Sequence, residues 1–173
     1  MDINELKEPL KRMKLTTMGE HLEEVSQRAG KESWSYERYL FELISLEQQS
    51  RWERKLKLLL RESKLPLEKT FSTLERSRFP RSLNQQIDAL VEGSFIDRCE
   101  NVLAFGNPGS GKTHTLCAIG HEMILQGKKV LFKDCEMLVQ ELLGAKRRYE
   151  LPKILKKLGK YKALIIDDIG YVQ

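Results

Sequence analysis

A chain of 173 residues with 40% hydrophobic and 32% charged side chains is long enough to bury a core and too apolar to be a disordered tail. Its 30 Lys and Arg against 25 Asp and Glu leave a formal charge of +5, a mild excess that a mixed-charge surface explains without any nucleic-acid partner. No run approaches the ~18 apolar residues of a membrane span. The start Met1-Asp2-Ile3-Asn4-Glu5-Leu6-Lys7 is too charged for a secretion signal, and Cys99, Cys117 and Cys135, with no C-x-x-C pair, read as reduced thiols of a cytoplasmic protein.

Residues 1–66 read as a helical domain. One helix spans about 3–13 and a second about 17–28, stopped by Gly30. Ser33 or Ser35 then caps a long helix from near Tyr36, where Tyr36, Tyr39, Leu40, Leu43, Ile44 and Leu46 keep helical spacing. The pattern lapses over residues 47–51 and resumes at Trp52, Leu56, Leu59 and Leu60, and Pro66 ends it. Arg51, Arg54, Lys55, Lys57, Arg61 and Lys64 make this helix basic. Either they face nucleic acid or they are the solvated side of an amphipathic helix; Trp52 is expected in the core. Arg51, Arg54 and Lys55 are the candidate DNA contacts here.

Residues 67–94 read as a connector and the start of the next domain. The stretch 65–81 has no sustained period and is made basic by Arg76, Arg78 and Arg81. A short helix over about 83–91 stops at Gly93, and a turn over 95–98 leads on.

From residue 95 the chemistry sharpens. An apolar run, 102–105, reads as a strand and delivers Gly106-Asn107-Pro108-Gly109-Ser110-Gly111-Lys112-Thr113, which opens a helix ending near Gln126 with Gly127 as its cap. Strand, G-x-x-x-x-G-K-[ST], then helix is the order a phosphate-binding loop needs. Glycines let backbone N–H groups face an anion, and the helix N-terminus aims its dipole at the same place. Lys112 supplies a mobile charge for the β- and γ-phosphates, and the Thr113 hydroxyl can join a Mg²⁺ shell.

A second buried strand covers 129–132, and a helix over 135–143 stops near Gly144. A basic patch follows: Lys146, Arg147 and Arg148, then Lys153, Lys156, Lys157, Lys160 and Lys162. It is as compatible with nucleic-acid contact as with a solvated helix. The apolar strand 163–166 ends in Asp167 and Asp168, one strand–helix unit after the phosphate loop, as a Walker B strand would. Asp167 is then the candidate Mg²⁺ ligand, and Asp168 the carboxylate that orients the attacking water. Asp167-Asp168-Ile169-Gly170 also fits the D-x-x-G of GTPases, but the adjacent second acid and the helical N-terminus favour ATP.

The run Phe95-Ile96-Asp97-Arg98-Cys99-Glu100-Asn101-Val102-Leu103-Ala104-Phe105, continuing through the loop to His114, resembles the IstB-like transposition helper ATPases. So does Leu164-Ile165-Ile166-Asp167-Asp168-Ile169-Gly170-Tyr171. These are AAA+ proteins of the DnaC and DnaA initiator clade. The resemblance implies an α/β fold: a P-loop AAA+ three-layer parallel-sheet core over residues 95–173, preceded by the all-α domain. It implies ATP and Mg²⁺ as cofactors, with Gly106, Asn107, Pro108, Gly109, Ser110, Gly111, Lys112, Thr113 and His114 holding the nucleotide. Thr113 and Asp167 would hold the metal, and Lys112 and Asp168 would carry ATP hydrolysis. Many AAA+ members have Glu where Asp168 stands, so its shorter arm suits a slow reaction.

The resemblance further implies an ATP-dependent homo-oligomer on double-stranded DNA that recruits or stimulates a transposase. It also brings the helical segment 136–160 (with Lys146, Arg147, Arg148, Lys153, Lys156 and Lys157) towards DNA, and involves no membrane. A DnaC-type helicase loader, binding single strands and a helicase, is the alternative; a scaffold whose ATP is structural is another. An AAA+ sheet has five parallel strands, and only 102–105, 129–132 and 163–166 are readable here. The chain therefore reads as a fragment that binds ATP poorly and does not hydrolyse it, the function belonging to the complete protein.

Overall fold

The computed structural model describes residues 3–171; Met1 and Asp2 of the charged start, and Val172 and Gln173 at the end of the 95–173 domain reading, lie outside the described residues. Two compact units emerge, Met1–Lys55 and Leu56–Gln173. The first contains α1 (Ile3–Arg12), α2 (Thr16–Lys31) and the first part of α3 (Tyr36–Ser63), whose last turns belong to the second unit. Met18, Leu22 and Val25 recur on one face of α2 and pack with Leu43 of α3, flanked by Leu6, Leu10 and Leu46.

Capping in this unit is unusual. Leu15 occupies the N-cap of α2 and has no side-chain acceptor to offer. The carboxylate of Glu47, from the middle of α3, takes its place: Oε2 accepts the N–H of Thr17 at 2.9 Å and of Met18 at 3.1 Å. Glu47 is only 3% exposed, and its other oxygen accepts Arg51 Nε at 2.8 Å. The lapse expected over residues 47–51 is therefore no break, and α3 runs through it. At its start Ser35 caps α3 as expected, accepting the Arg38 N–H at 3.3 Å.

Two expectations for this unit fail. The second helix does not stop at Gly30 but runs one residue further, to Lys31, where a glycine in the exposed last turn is tolerated. Trp52 is not core. It is 42% exposed, with the Lys55 ammonium 4.9 Å from its ring. The inward position is held by Glu47, and five residues further a helix has turned about 140° away.

The second unit continues with a 3-10 turn (Arg76–Arg78), α4 (Arg81–Glu92), α5 (Ser94–Asp97) and α6 (Lys112–Leu125). Then come β1 (Val130–Asp134), α7 (Cys135–Arg147), α8 (Leu151–Leu158), β2 (Ala163–Asp167) and a last 3-10 turn, Ile169–Tyr171. β1 and β2 pair in parallel, from Val130 opposite Ala163 to Asp134 opposite Asp167. Parallel neighbours need a long crossover, which α7 and α8 supply. α6 lies against both strands. Gly120 makes this possible, because a Cβ there would sit 2.8 Å from Ile165 Cδ1 and 3.2 Å from Leu65 Cδ1. The core gathers Leu59, Leu65, Ile87, Cys117, Ile119, Met123, Ile124 and Val130. Burial pushes the Cys117 thiol up to about 11, which keeps it protonated and inert.

This is a mixed α/β unit with a small parallel sheet, and two of the three expected strands are present. Residues 102–105 do not form the third. They join no ladder, and Leu103 and Phe105 are 69% and 86% exposed. Strand-forming side chains are not enough; an extended segment becomes a strand only when a neighbour takes its backbone groups. Nor does Gly144 end α7, which continues to Arg147 and carries Lys146 and Arg147 in its last turn. Gly127 does end α6, in the left-handed region at φ +77, with Lys128 N–H returning to the Met123 carbonyl at 3.0 Å.

Candidate nucleotide-binding site

The glycine-rich loop and the end of β2 meet directly, through two residues 54 apart in the chain. Thr113 Oγ1 donates to Asp167 Oδ1 at 2.8 Å. α6 starts at Lys112, so Thr113 is in its first turn, and Gly111 holds the N-cap at φ +87, a conformation that costs an L side chain strain. A Cβ at Gly111 would also stand 3.4 Å from the Phe79 ring. The loop from Gly106 to Ser110, with Asn107, Pro108 and Gly109 between, is exposed. Lys112 Nζ folds back over it and donates to the carbonyls of Gly106 at 2.9 Å and Asn107 at 3.0 Å.

The strand ends explain the acids. Asp134 and Asp167 are register partners at the C-terminal ends of β1 and β2. Asp134 is spent on structure, capping α7 by accepting the Met137 N–H at 3.0 Å. Asp167 is instead half-buried and turned to Thr113. Asp168 follows it with an exposed side chain and a backbone φ of +56, in the left-handed region. That turn separates the two neighbouring carboxylates, one facing the loop hydroxyl and the other reaching solvent.

The remaining residues singled out in the sequence have varied surroundings. His114 Nε2 donates to the Thr70 carbonyl at 3.0 Å, so its ring is turned to the 65–81 connector. Arg51 donates to Glu47 and, through Nη2, to the Lys14 carbonyl at 2.8 Å; Arg54 Nη2 reaches Thr17 Oγ1 at 3.2 Å; Lys55 lies over Trp52. Lys146, Arg147, Lys153, Lys156 and Lys157 are exposed on α7 and α8. Arg148, beyond α7, is exposed too and pairs with Glu150 at 3.2 Å.

Sequence reasoning missed the role of the connector. Besides His114, His121 Nε2 donates to the Pro66 carbonyl at 3.0 Å, and Leu65 and Phe79 close on Gly120 and Gly111. Residues 65–79 thus brace the helix that carries Lys112 and Thr113. The signal available was two histidines seven residues apart, on one face of the loop's helix. Beside the loop an open cleft of ≈ 730 Å³ is lined by Phe79, Leu83, Ile87, Phe105 and Lys112 among others.

A glycine loop that opens a helix, tied through a hydroxyl to a carboxylate at the end of a parallel strand, defines an α/β protein of the P-loop class. The family is narrower than that class. The profile of the IstB-like ATP-binding proteins matches residues 8–173, and the chain belongs to that family. It is similar to the inferred ATP-binding protein of insertion sequence IS5376 from Geobacillus stearothermophilus, 36% identical over 162 residues, 94% of this chain and 64% of that protein. The inferred ATP-binding protein of insertion sequence IS21 from Pseudomonas aeruginosa is 31% identical over 170 residues, covering 98% and 64%. The chain thus spans less than two thirds of the length of these relatives. Among the described residues no helix is long and apolar enough to cross a membrane.

Proposed function

We propose that the complete protein is an AAA+ ATPase of transposition that binds ATP, assembles on duplex DNA as an oligomer in the cytoplasm, and recruits or stimulates a transposase. The contact between Thr113 and Asp167 carries the nucleotide half of this reading. A hydroxyl and a carboxylate at 2.8 Å are hard oxygen donors suited to Mg²⁺. Among the described residues no cluster of three or more His, Cys, Asp or Glu could hold a metal alone. Such a pair fits an ion that arrives with its own phosphate ligands, Mg²⁺ on a nucleotide, and neutralises their charge.

In this reading the loop N–H groups from Gly106 to Thr113 cradle the phosphates. Lys112 leaves the Gly106 and Asn107 carbonyls for the β- and γ-phosphates, a short swing of a flexible side chain. Thr113 and Asp167 hold the metal, and the exposed carboxylate of Asp168 orients water. The insertion-sequence relatives support a role in transposition. The exposed cations of α7 and α8 support DNA contact through phosphates. The uncovered Leu103 and Phe105 support further packing over this stretch in the complete protein.

Isothermal titration with ATP tests the metal assignment. Mg²⁺ should tighten ATP binding to the complete protein by tenfold or more, about 1.4 kcal/mol, and Asp167→Asn should remove that gain. An equal Mg²⁺ gain in the variant would place the metal elsewhere.

A further inference from the structure

Two basic stretches that lie about 100 residues apart in the chain meet in the second unit. Arg61 and Lys64, at the end of α3, line a cleft of ≈ 470 Å³ together with Lys157 and Lys160, at the end of α8. Lys129, directly before β1, and Tyr161, two residues before β2, line it at the N-terminal edge of the sheet. The nucleotide loop addresses the other edge, where Asp167 ends β2; five residues of strand separate the two by roughly 16 Å.

Among the described residues one acid, Glu62, lines this cleft. Glu62 pairs with Lys129 at 2.6 Å, and that hydrogen bond holds its carboxyl below the ordinary range. Lys129 also lies 4.9 Å from the centre of the Tyr161 ring. Arg61, Lys64, Lys157 and Lys160 have no ion-pair partner among the described residues. Cations near helix C-termini are favourable in themselves, because each helix end carries about half a negative charge. Two helix ends therefore offset about one positive charge. Five cations against one carboxylate leave about three more, held by three separate parts of the fold around one concavity.

Resting on the DNA-binding reading above, we propose that this cleft is a second phosphate site, which seats the sugar–phosphate backbone of duplex DNA at the sheet edge opposite the nucleotide. Glu62 acts there as an internal counter-charge: it holds Lys129 against Tyr161 and limits the affinity of the cleft.

The test is fluorescence anisotropy of a labelled duplex titrated with the complete protein over a series of KCl concentrations. Lys157→Gln with Lys160→Gln should lower the slope of log K against log salt by up to about 1.8, two phosphate contacts, and weaken binding. Glu62→Gln should act in the opposite direction, raising the slope by up to about 0.9 and tightening binding as Lys129 is released. A fold defect cannot produce that gain. Slopes equal to wild type in both variants would overturn the cleft while leaving DNA binding itself in place, and would point to an acidic protein surface as its occupant. A wild-type protein that binds no duplex at any salt would overturn the function reading and the cleft with it.

Discussion

Lys112→Ala in the complete protein should weaken ATP binding by about 100-fold or more, and with it abolish nucleotide-dependent assembly. The argument is one of charge. Lys112 Nζ rests on two neutral carbonyls of an exposed loop, which water can satisfy when the side chain is removed. Against a nucleotide the same ammonium meets charged phosphate oxygens, and a hydrogen bond between ionised partners contributes about 1.5–3 kcal/mol. Losing two such contacts removes about 2.8 kcal/mol or more, the equivalent of 100-fold. Alanine suits the first turn of a helix, so α6 and the core beneath it stay intact. Titration calorimetry for ATP, with far-UV circular dichroism as the fold control, reads both. An affinity within threefold of wild type would remove Lys112 from the phosphates.

The largest effect on stability should come from the helical unit, far from any motif. Glu47→Ala strips the acceptor from the Thr17 and Met18 N–H groups at the start of a helix whose N-cap residue cannot replace it. An unsatisfied buried donor costs about 1–3 kcal/mol. Arg51 and Arg54 are more than half exposed and hydrate when their partner is lost, which moderates the total. We expect a loss of about 2–4 kcal/mol. Both tryptophans, Trp34 and Trp52, belong to this unit, so urea unfolding followed by tryptophan fluorescence reports on it. Glu47 also predicts an acid dependence. Burial pushes its carboxyl up, but hydrogen bonds from Arg51 and from the Met18 and Thr17 amides outweigh burial, so the folded pKa lies below the ordinary 4.5. Its stabilisation is therefore complete above pH 4.5 and is lost as pH falls through the folded value. Glu47→Gln should flatten the stability profile below pH 4.5; an unchanged profile would mean that other carboxylates carry it.

The candidate site was legible because the chemistry it would perform restricts residue type. A phosphate loop must have glycine where φ is positive, as at Gly111, a lysine beside it and a hydroxyl after that, and a carboxylate must end the strand that faces them. The helices were legible from spacing, but their ends were not. Gly30 and Gly144 looked like stops; α2 passes Gly30 by one residue, and α7, with Ala145 buried, passes Gly144 by three. Glu47 stands where the apolar pattern lapses, yet it is among the most buried polar residues, because its acceptors serve a helix 30 residues away. That pairing is a tertiary fact with no local signature. The strand expected over 102–105 failed for a related reason: side chains declare a preference for extension, and only a neighbour realises it.

The most direct measurement is the anisotropy of labelled duplex and single-stranded DNA against the complete protein, with and without ATP–Mg²⁺. A nucleotide-dependent transposition ATPase predicts duplex binding that tightens by tenfold or more when ATP–Mg²⁺ is added, with single strands bound more weakly. Duplex binding indifferent to ATP, or a preference for single strands, would contradict it.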